Sequence, residues 1–256
     1  MKRHTGIKLL FICAALIFLF PAVTTAVLSV KGEEGFSISG YDRLFFDNFM
    51  FYPMFWNSVI YSFVITALEM IIILPAAFAF TFGNFKGKKV LFLFYVVLMM
   101  MPLQVMILPN YIGLRTIGLI NTRAAVILPM VFSPFGVVVL YQYMQGIDRS
   151  VVEAARLETK SVFKIMFTAV VPQLKVCIWA VALFVFAESW NMLEQPMLFL
   201  EDEKLKTLPV FISNKEIYGE EILYPASVIF MIPVLLLYMR FHKELDNGFK
   251  LNGKKL

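Results

Sequence analysis

Two carboxylates stand where a carboxylate is expensive. Glu69 and Glu188 each interrupt a long apolar run. An acid at the centre of a bilayer costs roughly 2.5–3.5 kcal/mol on insertion scales, so such a side chain turns to protein or water rather than lipid. Glu188 opens the polar cluster Glu188-Ser189-Trp190-Asn191. Acids and amides hold hydroxyl groups and an aromatic face stacks on a sugar ring, so this cluster suits a translocation pathway. A polar contact between helices would explain it equally well. Glu69 fits a structural pair or the wall of a cavity.

A second stretch carries chemistry of another kind. Residues Val151 to Pro172 read VVEAARLETKSVFKIMFTAVVP. Apolar residues are mixed with Arg156, Lys160 and Lys164, and no Gly or Pro falls between Val151 and Val171. The pattern predicts one or two short helices that end near Pro172. A mixed segment of this kind can lie on a membrane surface and present one face to something else.

Catalysis has no comparable foothold. Cys13 and Cys177 lie in or beside apolar runs, and His4 and His242 lie near opposite ends of the chain. Their placement gives no disulfide framework and no metal-ligand spacing. A membrane-embedded enzyme would need clustered His, Asp or Ser at the membrane surface, and none is visible. A GxxxxGK(S/T) phosphate loop is also missing, so the chain should not bind ATP itself. No catalytic residue, metal or cofactor is expected.

The elements that must position these residues are membrane spans. Of 256 residues, 60% are hydrophobic and 16% charged, and the mean hydropathy is +0.77. A soluble domain of this length could not hide so much apolar surface. Six apolar runs reach the ~17–25 residues needed to cross a bilayer as helices. They lie near 8–30, 55–82, 90–112, 124–144, 175–193 and 222–240. The first could be taken for a signal peptide, but its apolar stretch exceeds the ~7–15 residues of a signal core and five more runs follow. A retained signal-anchor helix is expected. Prolines at 75, 102, 109, 129, 134 and 233 fall in several runs. Neighbouring protein or a wet cavity must make good the hydrogen bonds they remove.

Most of the 23 Lys and Arg residues gather on one side of these runs. They are Lys2, Arg3 and Lys8, then Lys86, Lys88 and Lys89, then Arg149, Arg156, Lys160, Lys164 and Lys175, and finally Arg240, Lys243, Lys250, Lys254 and Lys255. By the positive-inside rule, both termini and the stretch between the fourth and fifth runs are cytoplasmic. The outer loops, 31–54 and 194–221, are too short for independent domains, and residues 1–256 read as one transmembrane domain.

The central stretch resembles the cytoplasmic EAA loop of bacterial ABC-importer permeases. Glu153-Ala154-Ala155 match its triplet, and Pro172 follows at the family's distance with Val171 before it. Ala169 stands for the family's Ile, and Thr159 departs from its usual Gly. Met99–Pro129, Leu74–Lys89, Phe184–Leu200 and Leu245–Lys255 are similar to the carbohydrate-importer permeases, in particular the smaller, maltose-permease-G-like subunit. The resemblance implies an all-α membrane protein with six transmembrane helices and a coupling-helix loop, residues 145–174, between the fourth and fifth. It further implies a second homologous permease, two ATPase subunits or domains that hydrolyse the ATP, an extracytoplasmic solute-binding protein and a carbohydrate substrate, with no nucleic acid involved.

In that family the EAA loop inserts into a groove of the ATPase. Val151, Val152, Ala154, Ala155 and Leu157 offer small and medium apolar knobs for close helix approach, and Glu153 offers a charge to a basic partner residue. A helix lying on lipid headgroups is the alternative. Where the family Gly supplies a bend with positive φ, a β-branched Thr159 would be strained. A more continuous helix is therefore expected here. For the whole protein, the alternatives are an ion-coupled carrier using Glu69 and Glu188 as relays, and a scaffold that transports nothing.

Overall fold

The computed structural model describes residues 2–32 and 35–252, with side chains described from 11 to 242. Lys2, Arg3, Lys8, Lys243, Lys250, Lys254 and Lys255, which bear on orientation, lie outside the described side chains. The chain is an all-α membrane protein. Its fourteen α-helices in these residues are joined by short turns, with one two-stranded hairpin, β1 (Lys31–Gly32) and β2 (Gly35–Phe36).

In chain order the helices are α1 (Lys2–Ser29), α2 (Ser39–Asp42), α3 (Phe51–Phe82), α4 (Lys88–Met99), α5 (Leu103–Thr116), α6 (Arg123–Val131) and α7 (Phe135–Met144). There follow α8 (Arg149–Glu158), α9 (Val162–Ile165), α10 (Lys175–Trp190), α11 (Glu194–Phe199), α12 (Leu208–Ser213), α13 (Lys215–Tyr218) and α14 (Glu220–Asn252). Four are long and apolar enough to cross a membrane, counting α6 with α7 as one. Up to six spans result if the bent pairs α4–α5 and α9–α10 each count as one. Helices suit this solvent because each satisfies its own backbone polar groups.

α3 is the central post. Its 32 residues extend about 48 Å at 1.5 Å per residue, and α6, α7, α10 and α12 pack against it. Tyr61, Ile65, Ile73 and Ala77 on α3 are fully buried in the main core with Val137, Leu140, Val181 and Val185. Gly136 lets α7 approach α3, because a Cβ there would lie 2.5 Å from Ile73 Cδ1. At the other end of α3, Phe51 and Met54 join Trp190, Leu208 and Phe211 in a second core. Polar side chains tie the loop between α11 and α12 to the post. Asn57 donates to the carbonyl oxygens of Lys204 (2.6 Å) and Lys206 (3.1 Å), Tyr61 donates to that of Leu205 (2.8 Å), and Ser58 accepts from Leu208 N–H (2.7 Å). α1 instead presents its apolar side chains outward, with Phe18 81% exposed, as a lipid-facing helix does.

The third apolar run is not one straight helix. α4 and α5 meet at 106° across Met100–Pro102. Pro102 disfavours a helical residue before it and donates no hydrogen bond. The fourth run breaks at Phe132–Pro134 between α6 and α7. Pro75, Pro109, Pro129 and Pro233 stay inside their helices.

Candidate functional site

The breaks surround a cavity of ≈ 740 Å³. Its walls are mostly apolar, with Asn110, Ser133, Glu188 and Gln195 as the polar side chains. An adjoining cavity of ≈ 320 Å³ shares Glu188 and Gln195 and adds Asn191 and Glu194. Glu188, near the end of α10, therefore lies in the wall of both. Phe135 and Phe184, whose ring centroids are 4.4 Å apart, supply aromatic surface to the larger one. Carboxylate, amide and hydroxyl groups beside aromatic rings can hold a polyhydroxylated solute without making or breaking a bond.

The structure divides the Glu188–Asn191 cluster. Glu188 and Asn191 face the cavities. Trp190 does not. It is 1% exposed, donates its indole N–H to the Phe230 carbonyl at 3.0 Å, and lies between Phe186 and Phe230 in the second core. Ser189 is also buried and donates back to the Val185 carbonyl at 2.7 Å. Consecutive helical residues diverge by about 100°, so four in a row cannot share one wall. Trp190 and Ser189 are thus packing residues in this chain, and the Trp190 bond to α14 is a polar contact between helices, the alternative that the sequence left open. The aromatic surface comes from Phe135 and Phe184 instead.

Glu69 sits one layer behind the wall. It is 1% exposed, with Glu188 and Ser133 among its neighbours. Its Oε1 has no hydrogen-bond partner among the described residues. Sequence reasoning singled out both acids but not their adjacency. It missed Asn110, Ser133 and Gln195. Asn110 beside Pro109 and Ser133 beside Pro134 are polar residues next to helix breakers in apolar runs, a signal that could have found them.

The central stretch forms a helix, an extended joint and a second helix. α8 starts because the Asp148 carboxylate accepts from Ser150 N–H at 2.9 Å, a side-chain N-cap. That bond holds the Asp148 carboxyl below its usual range. α8 ends at Thr159, whose backbone is extended (φ −152°, ψ 143°). A more continuous helix is therefore incorrect. Any residue adopts this conformation, so Thr at the usual Gly position is unstrained. Its hydroxyl accepts from Ser161 N–H at 3.3 Å, and the Ser161 hydroxyl accepts from Lys164 N–H at 3.4 Å to start α9. After α9 the chain continues as a π-helix over Met166–Val170 and a single 3-10 turn over Val171–Gln173 that contains Pro172. It then turns by 89° into α10.

α8 has two faces. Val152 is 2% exposed and packs in the main core, with Ala155 against it. Arg156 donates to the Phe82 carbonyl at 3.2 Å. On the other face Val151, Glu153, Ala154 and Leu157 are exposed, and Leu157 is 90% so. Val151, Ala154 and Leu157 recur at i, i+3 and i+6, which makes them one stripe. The five apolar knobs thus separate into two that this chain uses itself and three it leaves free.

Long apolar helices, several of them broken around a solute-sized cavity, define a multi-span membrane protein. The chain belongs to the family of binding-protein-dependent transport system inner membrane components, whose model matches residues 71–251. It is 27% identical over 280 residues to the arabinooligosaccharides transport system permease protein AraQ of Bacillus subtilis, with both chains covered completely. It is 26% identical to the trehalose/maltose transport system permease protein MalG of Thermococcus litoralis, covering 95% of this chain and 94% of that one. Among solved structures, a bacterial ABC transporter involved in the import of the acidic polysaccharide alginate aligns with a TM-score of 0.83 and 21% identity. That alignment covers 94% of this chain and 96% of the other, and shows a shared fold. The protein is accordingly a multi-pass inner-membrane transport component.

Proposed function

We propose that this chain is a permease subunit of an ATP-binding-cassette importer that moves a sugar or oligosaccharide across the cytoplasmic membrane. ATP hydrolysis belongs to two partner ATPase subunits or domains. A second homologous permease completes the passage, and an extracytoplasmic solute-binding protein delivers the substrate. Both termini and the 145–174 loop face the cytoplasm, in keeping with the Lys and Arg distribution. The full-length similarity to permeases of oligosaccharide systems supports the substrate class.

The observation that carries the reading is the free stripe on α8. Val151, Ala154 and Leu157 stand exposed beside Glu153, while the opposite face of the same helix is anchored to the core by Val152. A helix seated on one side and apolar on the other fits a groove in another protein. Motion of that partner would pass through the seated face to the main core and so to the cavity.

A pull-down from detergent-solubilised native membranes tests this. A second multi-span permease and a nucleotide-binding ATPase should accompany the chain, and the ATPase should be lost when Val151–Lys160 is disrupted. A chain that purifies alone and transports under an ion gradient without ATP would overturn the reading.

A further inference from the structure

Between the end of α3 and the start of α8 lies a separate polar cavity of ≈ 400 Å³. Its charged wall residues are Lys88, Arg149, Arg156 and Glu153. Three cations therefore face one carboxylate.

Two of these cations are fixed in place. Lys88 Nζ donates to the carbonyls of Thr81 (3.2 Å) and Gly83 (3.0 Å), and Arg156 Nη2 donates to that of Phe82 (3.2 Å). These carbonyls end α3, where a helix has no partners of its own for them and carries the negative end of its dipole. The bonds orient the cations while leaving further N–H donors on each.

Arg149 is placed differently. It is the first residue of α8, at the positive end of that helix, where a cation is unfavourable. It is close enough to Lys88 for the two charges to repel. Glu153 stands one turn further along α8, yet forms no ion pair with any of the three cations among the described residues. Three cations, one of them set against the dipole of its own helix, surround a space whose single carboxylate pairs with none of them, and that excess of positive charge calls for an anion.

We propose that this cavity is an oxyanion site that takes a phosphate group, carried by an anionic phospholipid or free in solution. Bound phosphate would bridge the end of α3 to the start of α8 and stiffen the joint on which α8 sits. That consequence rests on the importer reading. The binding itself does not.

The test uses the full chain, purified and delipidated in detergent. It is incubated in mixed micelles containing phosphatidylglycerol or phosphatidylcholine, and retained lipid is quantified. Phosphatidylglycerol should be retained in preference. Arg149→Gln should weaken that retention about fivefold, the factor expected for one basic residue at an anionic lipid surface. Arg149→Lys should restore most of it. The Gln variant folds, since it removes a cation from the positive end of a helix.

A second arm follows thermal unfolding with inorganic phosphate. Stabilisation that Arg149→Gln abolishes assigns the site to soluble phosphate. Lipid retention without that response assigns it to the headgroup. Equal retention of the two lipids with no response to phosphate overturns the proposal. So does phosphatidylglycerol retention unchanged by Arg149→Gln. No arm reads transport, so failure here leaves the importer reading standing, and failure of the pull-down leaves these outcomes interpretable.

Discussion

Val152 and Leu157 lie five residues apart on one short helix, and they should fail in opposite ways. Val152 is 2% exposed in the main core. Val152→Ala removes two methyl-sized groups at about 0.8 kcal/mol each and leaves part of their volume empty, for a loss of roughly 1.5–2.5 kcal/mol. Leu157 is 90% exposed, so nearly all of the about 1.5–3 kcal/mol available from burying a leucine is unspent within this chain. Leu157→Ala should therefore change the chain's own stability by less than about 0.5 kcal/mol. If α8 docks on an ATPase, the same change should weaken that complex by about 1.5–2 kcal/mol, or roughly 10–30-fold.

Two assays separate these outcomes. Thermal unfolding of the purified chain reads the first, and titration of the permease assembly with the ATPase reads the second. Val152→Ala should lower the unfolding midpoint, and Leu157→Ala should leave it in place while weakening the complex. Leu157→Ala that destabilises the chain as much as Val152→Ala and leaves the complex intact would show that the stripe is not a docking edge.

Other substitutions report on single contacts. Gly136→Ala should cost roughly 1–3 kcal/mol by overpacking, because the new methyl would meet Ile73 Cδ1 at 2.5 Å; an unchanged unfolding midpoint would contradict the close α3–α7 contact. Thr159→Gly should destabilise by about 0.5–1 kcal/mol through the added freedom of the unfolded chain, whereas a gain in stability would mean that the joint needs a positive φ after all. Trp190→Phe removes the indole N–H bond to the Phe230 carbonyl and should cost about 0.5–1.5 kcal/mol with the transport KM unchanged; a raised KM would place Trp190 on the pathway. The Asp148 carboxyl is held low by Ser150 N–H, so its cap is fully present above the ordinary carboxylate range and is lost only as pH falls through its lowered value. Amide exchange at the first turn of α8 should follow that course, and Asp148→Asn should make it independent of pH.

The spans were legible because lipid imposes one rule. A backbone there must satisfy itself, so runs of apolar residues become helices, and the six runs match helices or bent pairs of helices. The breaks were less legible. Six prolines looked alike in sequence, yet only Pro102 and Pro134 mark the ends of helices, while Pro75, Pro109, Pro129 and Pro233 sit inside them. Whether a proline ends a helix depends on the packing that compensates it, and packing is not local. Thr159 shows the reverse error. A rule about positive φ was carried over to a position whose backbone is extended; there the Thr159 hydroxyl accepts from Ser161 N–H, and the Ser161 hydroxyl starts the next helix.

The site was legible by residue type and not by direction. Glu188 and Asn191 face the cavities, while Trp190 and Ser189 between them turn into the protein, so a polar tetrapeptide that reads as one cluster serves two purposes. Facing can be read from a helix only when its apolar stripe is known. In a membrane both the core and the lipid are apolar, so α10 has no such stripe to read. On α8, where water and charge return, the alternation of buried Val152 with exposed Val151 and Glu153 follows from ordinary helical geometry. Sequence patterning therefore gives direction where the surroundings differ from side to side and loses it where they match. For that reason the exposed stripe of α8 is defined down to single residues by its helix, while the polar residues of the cavity had to be located from the cavity inward.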